Sequence, residues 1–415
     1  MTLVCDHDDI VRQVTDMKAF EGYRVLDLTH VLAGPFCTYQ LAVLGAEVIK
    51  IEAPSELDLV RYLGVDLELN RQGMSTYFQT QSCNKRSMTL DLKSEAGRDV
   101  FRRLVKTADV VVENYRCGAL AALGLGADAL LKLNPTLIIC SITGYGQTGP
   151  KRNHTAFDNV IQAYSGLMAA TGSPATGPVK VGAAVLDYGT GSQAAFAIAA
   201  ALLRRERCGK GQHLDVSMLD AAMVLMSSTV VSTQITDAAP TPSGNSHPDV
   251  YGYGCYETRE GLLMLGVHTP RQFARMWRVL GEEALAEEMS ALDFESIEHR
   301  YGQHRPVLAD HLLERSAAEW ETLLNEVSVP AARVRTTHEA LNDEQLKGRA
   351  VLQSVEGFHG AAQGMSVAVS AATWSDDGPE LTSPPPTIGE HNDELLRALR
   401  YTPAEMAQLR VEGVI

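Results

Sequence analysis

The chain has 415 residues, 45% of them hydrophobic and 21% charged, with a formal net charge of −15. That apolar content excludes a disordered chain, and the length excludes a small scaffold that needs disulfide or metal staples. The acidic balance argues against a general binder of nucleic acid or anionic membrane, because neither polyanion is attracted to it.

The opening MTLVCDHDDIVRQ carries acids where a secretory leader has bases and an apolar run, so a cytoplasmic protein is expected. Residues 24–28, RVLDL, suit a buried strand. Gly34-Pro35 then opens a helix through FCTYQLAVL, and Gly45 closes it. EVIKI (47–51) is a second strand, completing a β-α-β unit of the kind that builds parallel sheets. Ser94 caps a helix over EAGRDVFRRLVK, with Val100, Phe101, Leu104 and Val105 on one apolar face. Another strand follows at 109–113, a helix at 127–133 that stops at Asn134-Pro135, and a strand at 137–142 leading into the glycine-rich loop 144–150. Residues 20–220 thus read as an α/β domain. The apolar helical stretch 194–203 is about half the length that spans a bilayer.

The composition changes at 233–249, TQITDAAPTPSGNSHPD, which suits a linker or binding loop. A hairpin is expected over 255–267, turning at Arg259-Glu260-Gly261, and helices from 271 to 324. Ser383-Pro384-Pro385-Pro386 precedes a final helical pair at 392–399 and 403–412. The predicted organisation is a large α/β domain (1–225), a linker (226–245), a small domain (246–335), and a linker with a C-terminal return to the large domain (336–415). Cys5, Cys37, Cys83, Cys117, Cys140, Cys208 and Cys255 are scattered, odd in number and without a CxxC pair; they read as reduced, mostly buried thiols.

Several machineries are missing. There is no GxxxxGK[ST] phosphate loop, no HExxH pair and no GxSxG elbow, and the histidines do not cluster at metal-ligand spacing, so no metal site is expected. One stretch carries a chemical signal: VGAAVLDYGTGS (181–192), where small and apolar residues run up to Asp187 at the start of an apolar helix. A carboxylate there faces the amides at the positive helix end, which should keep it ionised and able to act as a nucleophile. From position alone the commoner reading of Asp187 is a helix cap, since Asp is a favoured cap residue. A third reading takes Gly189-x-Gly191-x-x-Ala194 as a dinucleotide-binding fingerprint, with Asp215 as the acidic ribose partner.

RVLDLTHVLAGPFCTYQLAVLGAEVIKIEAP (24–54) resembles the opening signature of the family III CoA-transferases, the CaiB/BaiF group that includes formyl-CoA and carnitine CoA-transferases. The resemblance continues through NKRSMTLDLKSEAGR (84–98), VVENYRCGALAALGLG (111–126), LNPTLIICSITGYGQTGP (133–150), AFDNVIQAYSGLMAATG (156–172), GKGQHLDVSMLDA (209–221) and the C-terminal 384–414. It implies a Rossmann-like large domain with a parallel sheet, a smaller α+β domain, and an interlocked homodimer. It places the nucleophile on Asp187, within AAVLDYGTG. The implied reaction moves CoA from an acyl-CoA to a carboxylic acid, a dicarboxylate such as succinate among the acceptors considered. CoA is substrate rather than a permanently bound cofactor.

The implied CoA contacts are Val31, Leu32 and Ala33 after the first strand, then Leu90, Asp91 and Lys93, then Asn114, Tyr115 and Arg116. Lys93 and Arg116 would meet phosphates, although each also reads as a solvated surface cation. Asp158 matches an acidic position near the nucleophile, where it orients or protonates groups around Asp187 or caps a loop. Three departures stand out. Leu32 replaces a glutamine of formyl-CoA transferase, Ala53 stands where an arginine is common, and the glycine-rich lid of the oxalate-type enzymes is not evident at 242–248. The family's α-methylacyl-CoA racemases carry a histidine just before the Asp158 position. Here that place is Phe157, which cannot move a proton, so transfer is favoured over racemisation, with His154 as the nearby imidazole.

Overall fold

The computed structural model describes residues 17–298, 300–358 and 365–415. Cys5 and the charge pattern read against a secretory leader lie outside the described residues. Packing divides the chain into two compact units: residues up to 167 with 180–238 and 345–415 form one, and 168–179 with 239–344 form the other.

The first unit is built on β1 (Arg24–Asp27), α1 (Ala33–Ala42), β2 (Glu47–Glu52), β3 (Lys85–Thr89), α2 (Glu95–Val105), β4 (Val110–Glu113), α3 (Ala127–Leu133), β5 (Ile138–Thr143), α4 (Asp158–Ser165), α5 (Val185–Cys208), β6 (Gln212–Ser217), α6 (Met218–Leu225) and α7 (Ser227–Thr236). Its six strands are all parallel, in the order β3-β2-β1-β4-β5-β6. Successive residues of the central strands face opposite layers. Leu26, Ile49, Val111 and Ile139 pack with Phe101 and Leu104 of α2, while Val25, Val48, Val110 and Ile138 pack with Cys37 and Leu41 of α1 and Ile198 of α5. A sheet buried on both faces favours apolar residues at successive positions, which is why these strands are mostly Val/Ile/Leu runs, with Asp27, Lys50 and Glu52 as ion-paired exceptions. Ser94 caps α2 as its sequence predicts, accepting from the Gly97 amide at 3.0 Å.

The C-terminal segment covers edge strand β3. His391 Nδ1 accepts from the Ser87 amide at 3.1 Å, and Asn392 Oδ1 from the Thr89 amide at 2.9 Å. Backbone groups that would otherwise template aggregation are thus occupied. Leu395, Leu396, Met406 and Leu409, on the two final helices (Asn392–Ala398 and Pro403–Val411), join the α2-side core.

The second unit holds an antiparallel hairpin, Tyr253–Glu257 with Leu262–Gly266, extended by Ala331–Arg333. Its helices bury Phe273, Trp277 and Trp320 against these strands. One expectation changes. Most of the first half of the segment read as a linker, 226–245, is helix α7. A second helix starts after the break at Met226 despite a Ser/Thr/Val-rich composition of low helix propensity, and the linker-like character begins only at Asp237, whose φ of 51° ends it. No single helix among the described residues is long and apolar enough to cross a membrane; α6 and α7 reach that measure only as a pair bent by 76°.

Candidate active site

In a parallel sheet of this order, the chain leaves β1 toward one layer and β4 toward the other. The loops part at the carboxyl ends of these neighbouring strands and leave a crevice. His30 and Asn114 tie the two loops across it. The His30 amide donates to Asn114 Oδ1 at 2.9 Å, and Asn114 Nδ2 donates to the His30 carbonyl at 2.8 Å.

Two cavities open at this crevice, and His30 lines both. The larger, about 530 Å³, is lined among others by Leu90, Asp91, Lys93, Tyr115 and Arg116. The smaller, about 190 Å³, is lined among others by Val31, Leu32, Ala33, Asn114, Phe157 and Asp187. The expected site residues therefore divide by cavity, with Asp158 behind the smaller one.

Asp187 sits in the first turn of α5 and is 6% exposed. The residue that should cap this helix is Ala184, which has no side-chain acceptor. Asp158 does the capping from α4: its Oδ2 accepts the Leu186 amide at 2.7 Å and the Asp187 amide at 3.2 Å. Gln162, one turn along α4, donates to Asp158 Oδ1 and accepts the Val181 amide at 2.9 Å. So Asp187 is not the cap, and the expectation that its own helix end keeps it ionised is corrected. The first-turn amides are spent on Asp158. Burial, and next the Asp158 charge, push the Asp187 carboxyl up to about 7, with a backbone N–H of Ala33 pulling the other way.

That N–H belongs to the start of α1, whose cap position is Leu32 and which likewise has no side-chain cap. α1 and α5 touch at Gly191, one turn beyond Asp187. A Cβ there would lie 2.6 Å from the Ala33 carbonyl oxygen and 3.0 Å from Phe36 Cδ1. Only a glycine lets the two backbones approach so closely. The dinucleotide reading fails on the same observation. Gly189 and Gly191 lie inside α5, not in a strand-to-helix turn, and the Asp215 carboxylate is held on the Gln147 amide at 2.9 and 3.0 Å.

His30 and Gln162 were not singled out in the sequence. Gln162 had a signal, the four-residue spacing from Asp158 that puts both on one helix face. His30 had only its place between a strand and a glycine. Its ring packs on Tyr115 at 5.6 Å, and burial, with the Lys50 charge next, holds its imidazole below the usual range. His154, the other imidazole considered, packs its ring against Tyr145 at 5.7 Å. Among the described residues no group of acidic, histidine and cysteine side chains is arranged to hold a metal.

Comparison with known proteins places this geometry in a family. The model of CoA-transferase family III matches residues 20–392. A succinate–glutarate CoA-transferase of Agrobacterium fabrum is 35% identical over 395 residues, covering 93% of this chain and 98% of that protein. A succinyl-CoA:glutarate CoA-transferase of Mus musculus is 33% identical, covering 96% of this chain and 91% of its own. The crystal structure of a CaiB/BaiF family protein from Brucella suis superposes with a TM-score of 0.80 at 32% identity, over 92% of this chain and all (100%) of that one. The chain belongs to the family III CoA-transferases, enzymes that move coenzyme A from a thioester to a carboxylic acid.

Proposed function

We propose that Asp187 is the nucleophile of this transfer and that the acids exchanged are short dicarboxylates, with succinyl-CoA as a donor. One observation carries the first part: a carboxyl only 6% exposed that nevertheless lines a cavity, pushed up to about 7 by burial and the Asp158 charge against the pull of the Ala33 N–H at the start of α1. A carboxylate of raised pKa is more nucleophilic than a solvated one, yet is still substantially ionised at pH 7. The second part is supported by the relatives, whose names pair succinyl or succinate with glutarate.

The exchange conserves acyl activation at each step. An Asp187 oxygen attacks the thioester carbonyl, the C–S bond breaks, and CoA thiolate leaves behind a mixed anhydride. The thiolate then attacks the aspartyl carbonyl and expels the first acid as a carboxylate, giving an aspartyl-CoA thioester. The incoming carboxylate attacks that carbonyl, the C–S bond breaks, and CoA thiolate leaves behind a second anhydride. Returning thiolate takes the new acyl group and frees Asp187. Each tetrahedral oxyanion needs N–H donors, and water must be kept from the anhydrides. Tyr115, Arg116, Leu90, Asp91 and Lys93 are read as the walls that hold CoA, with Val31, Leu32, Ala33 and Asn114 around the acyl end. Phe157, at the cavity rather than a histidine, favours transfer over racemisation.

The chain is further read as a cytoplasmic homodimer. Exposed Phe196, Val231 and Ile235 on α5 and α7 give it apolar surface to cover. Sedimentation at micromolar concentration should give twice the chain mass. The decisive test of the nucleophile is trapping: stop the reaction during turnover of labelled succinyl-CoA, digest, and look for the adduct on the Asp187 peptide. Product formation with no adduct on that peptide, or full activity of Asp187→Ala, ends this reading. Incubating succinyl-CoA with a panel of acids, read by mass spectrometry, tests the dicarboxylate assignment.

A further inference from the structure

The turn between β1 and α1 is held in an unfavourable shape. Val31 has φ 70°, a left-handed conformation in which a β-branched side chain crowds its own backbone. Such a pose persists only where the surroundings over-determine it. Here they do. The Val31 amide donates to Asp58 Oδ1 at 3.0 Å, and its carbonyl accepts from Gln81 Nε2 at 2.6 Å. Two residues earlier, the Thr29 carbonyl accepts from Lys50 Nζ at 2.8 Å. Lys50 and Asp58 are themselves paired at 2.9 Å with side chains 1% and 0% exposed.

The pair is anchored from below. The Asp58 amide donates to Glu52 Oε1 at 3.1 Å, and Glu52 grips the Arg61 guanidinium through both oxygens, at 2.8 and 2.7 Å. A buried ion pair is a poor way to stabilise a core, since well-packed apolar residues of equal volume often serve as well. What apolar residues cannot do is accept an amide and donate to a carbonyl of the same turn. This pair does both, two residues ahead of the amide that meets Asp187.

We infer that Asp58, with Lys50, is a positioning residue of the transfer reaction: the pair holds the 29–31 turn in its left-handed pose and so presents the Ala33 amide to Asp187. Neither side chain lines the cavity around Asp187, so neither acts on substrate there. The inference rests on the reading of Asp187 as nucleophile. It adds that the reactivity of this carboxylate depends on a clamp outside its cavity.

The test removes both grips without leaving an unpaired buried charge, in Asp58→Ala/Lys50→Met. In this variant we expect kcat to fall 10- to 100-fold with KM for succinyl-CoA within threefold. The acid limb of the kcat–pH profile should move to higher pH, because the Ala33 N–H no longer favours the ionised carboxyl while the Asp158 charge still opposes it. Adding Val31→Gly should restore at least tenfold of the lost kcat, because glycine adopts positive φ without a clamp. A merely structural pair would show neither the shifted limb nor this rescue. If the double variant does not fold, Asp58→Leu/Lys50→Met, which refills the lost volume and again leaves neither grip nor unpaired charge, is read by the same profile and the same rescue. A folded variant with kcat within threefold and an unmoved limb overturns the inference, as does failure of Val31→Gly to rescue. Adduct trapping keeps the two readings apart. No adduct on Asp187 in the wild type defeats the nucleophile, whereas wild-type adduct rates in the clamp variant defeat only the clamp.

Discussion

Asp158 caps the backbone of Asp187 while its charge resists the ionisation of the Asp187 side chain. One residue thus orders the start of α5 and makes the neighbouring carboxyl less acidic. The two effects separate by substitution. Asp158→Asn keeps an acceptor for the Leu186 and Asp187 amides but removes the charge. The acid limb of kcat/KM, expected near pH 7 in the wild type, should then move to lower pH by about one unit. An unmoved or raised limb would show that burial alone sets the Asp187 titration.

The same raised carboxyl makes folding depend on pH. Between about pH 3.8 and 7 the folded chain retains a proton at Asp187 that the unfolded chain has lost. Its burial is therefore tolerated below that window, and stability drains away as pH rises through it. At 1.36 kcal/mol per unit the cost at pH 8 is about 4 kcal/mol at most. Asp187→Asn should abolish transfer yet raise Tm at pH 8 by several degrees, with the gain shrinking to nothing near pH 4. Calorimetry at the two pH values checks this; a variant equally or less stable at pH 8 would contradict it.

Gly191→Ala should injure both stability and rate. The new methyl would meet the Ala33 carbonyl oxygen at 2.6 Å, a main-chain atom that cannot swing away. Overpacking of this kind costs about 1–3 kcal/mol. A drop in Tm of several degrees is expected, with kcat falling about tenfold as α1 is pushed from α5. Neutral behaviour in both measurements would mean that the helices yield at this contact.

Lys93→Ala tests the larger cavity. The Lys93 side chain is 74% exposed and lies 3.9 Å from Glu56, so it is a solvated cation free to turn to a phosphate. KM for succinyl-CoA should rise about three- to fivefold with kcat unchanged, and the difference should fade at high salt. Repeating the measurement with 3′-dephospho-CoA shows whether the contact is to that phosphate: the effect of the substitution should then disappear. No change in KM with either form would place Lys93 outside the CoA site.

The central strands were legible because a doubly covered parallel sheet leaves an unbroken apolar signature, as in RVLDL and DVVVE. The edge strands β3 and β6 were not read as strands, for a physical reason. KRSMT and QHLDVS carry polar residues that the fold employs: Lys85 on Asp27, Ser87 on the C-terminal segment, and Asp215 on the Gln147 amide. Asp187 stood out because a lone carboxylate among small apolar residues is unusual. That its helix amides belong to another carboxylate could not be read, since Asp158 and Asp187 are 29 residues apart and meet only through packing of α4 on α5. The Lys50–Asp58 clamp was hidden for the same reason. Lys50 looked like one polar position in an otherwise apolar strand, and nothing local announced the turn it secures.

Because α1 and α5 meet backbone to backbone at Gly191, the spacing of these two helix starts, and so of Ala33 from Asp187, is set by main-chain contact rather than by the side chains around the pocket. Side chains lining the pocket mouth can therefore be exchanged to suit longer, shorter or more polar acids while that spacing is kept. Selectivity and reactivity are, in this scaffold, separately adjustable.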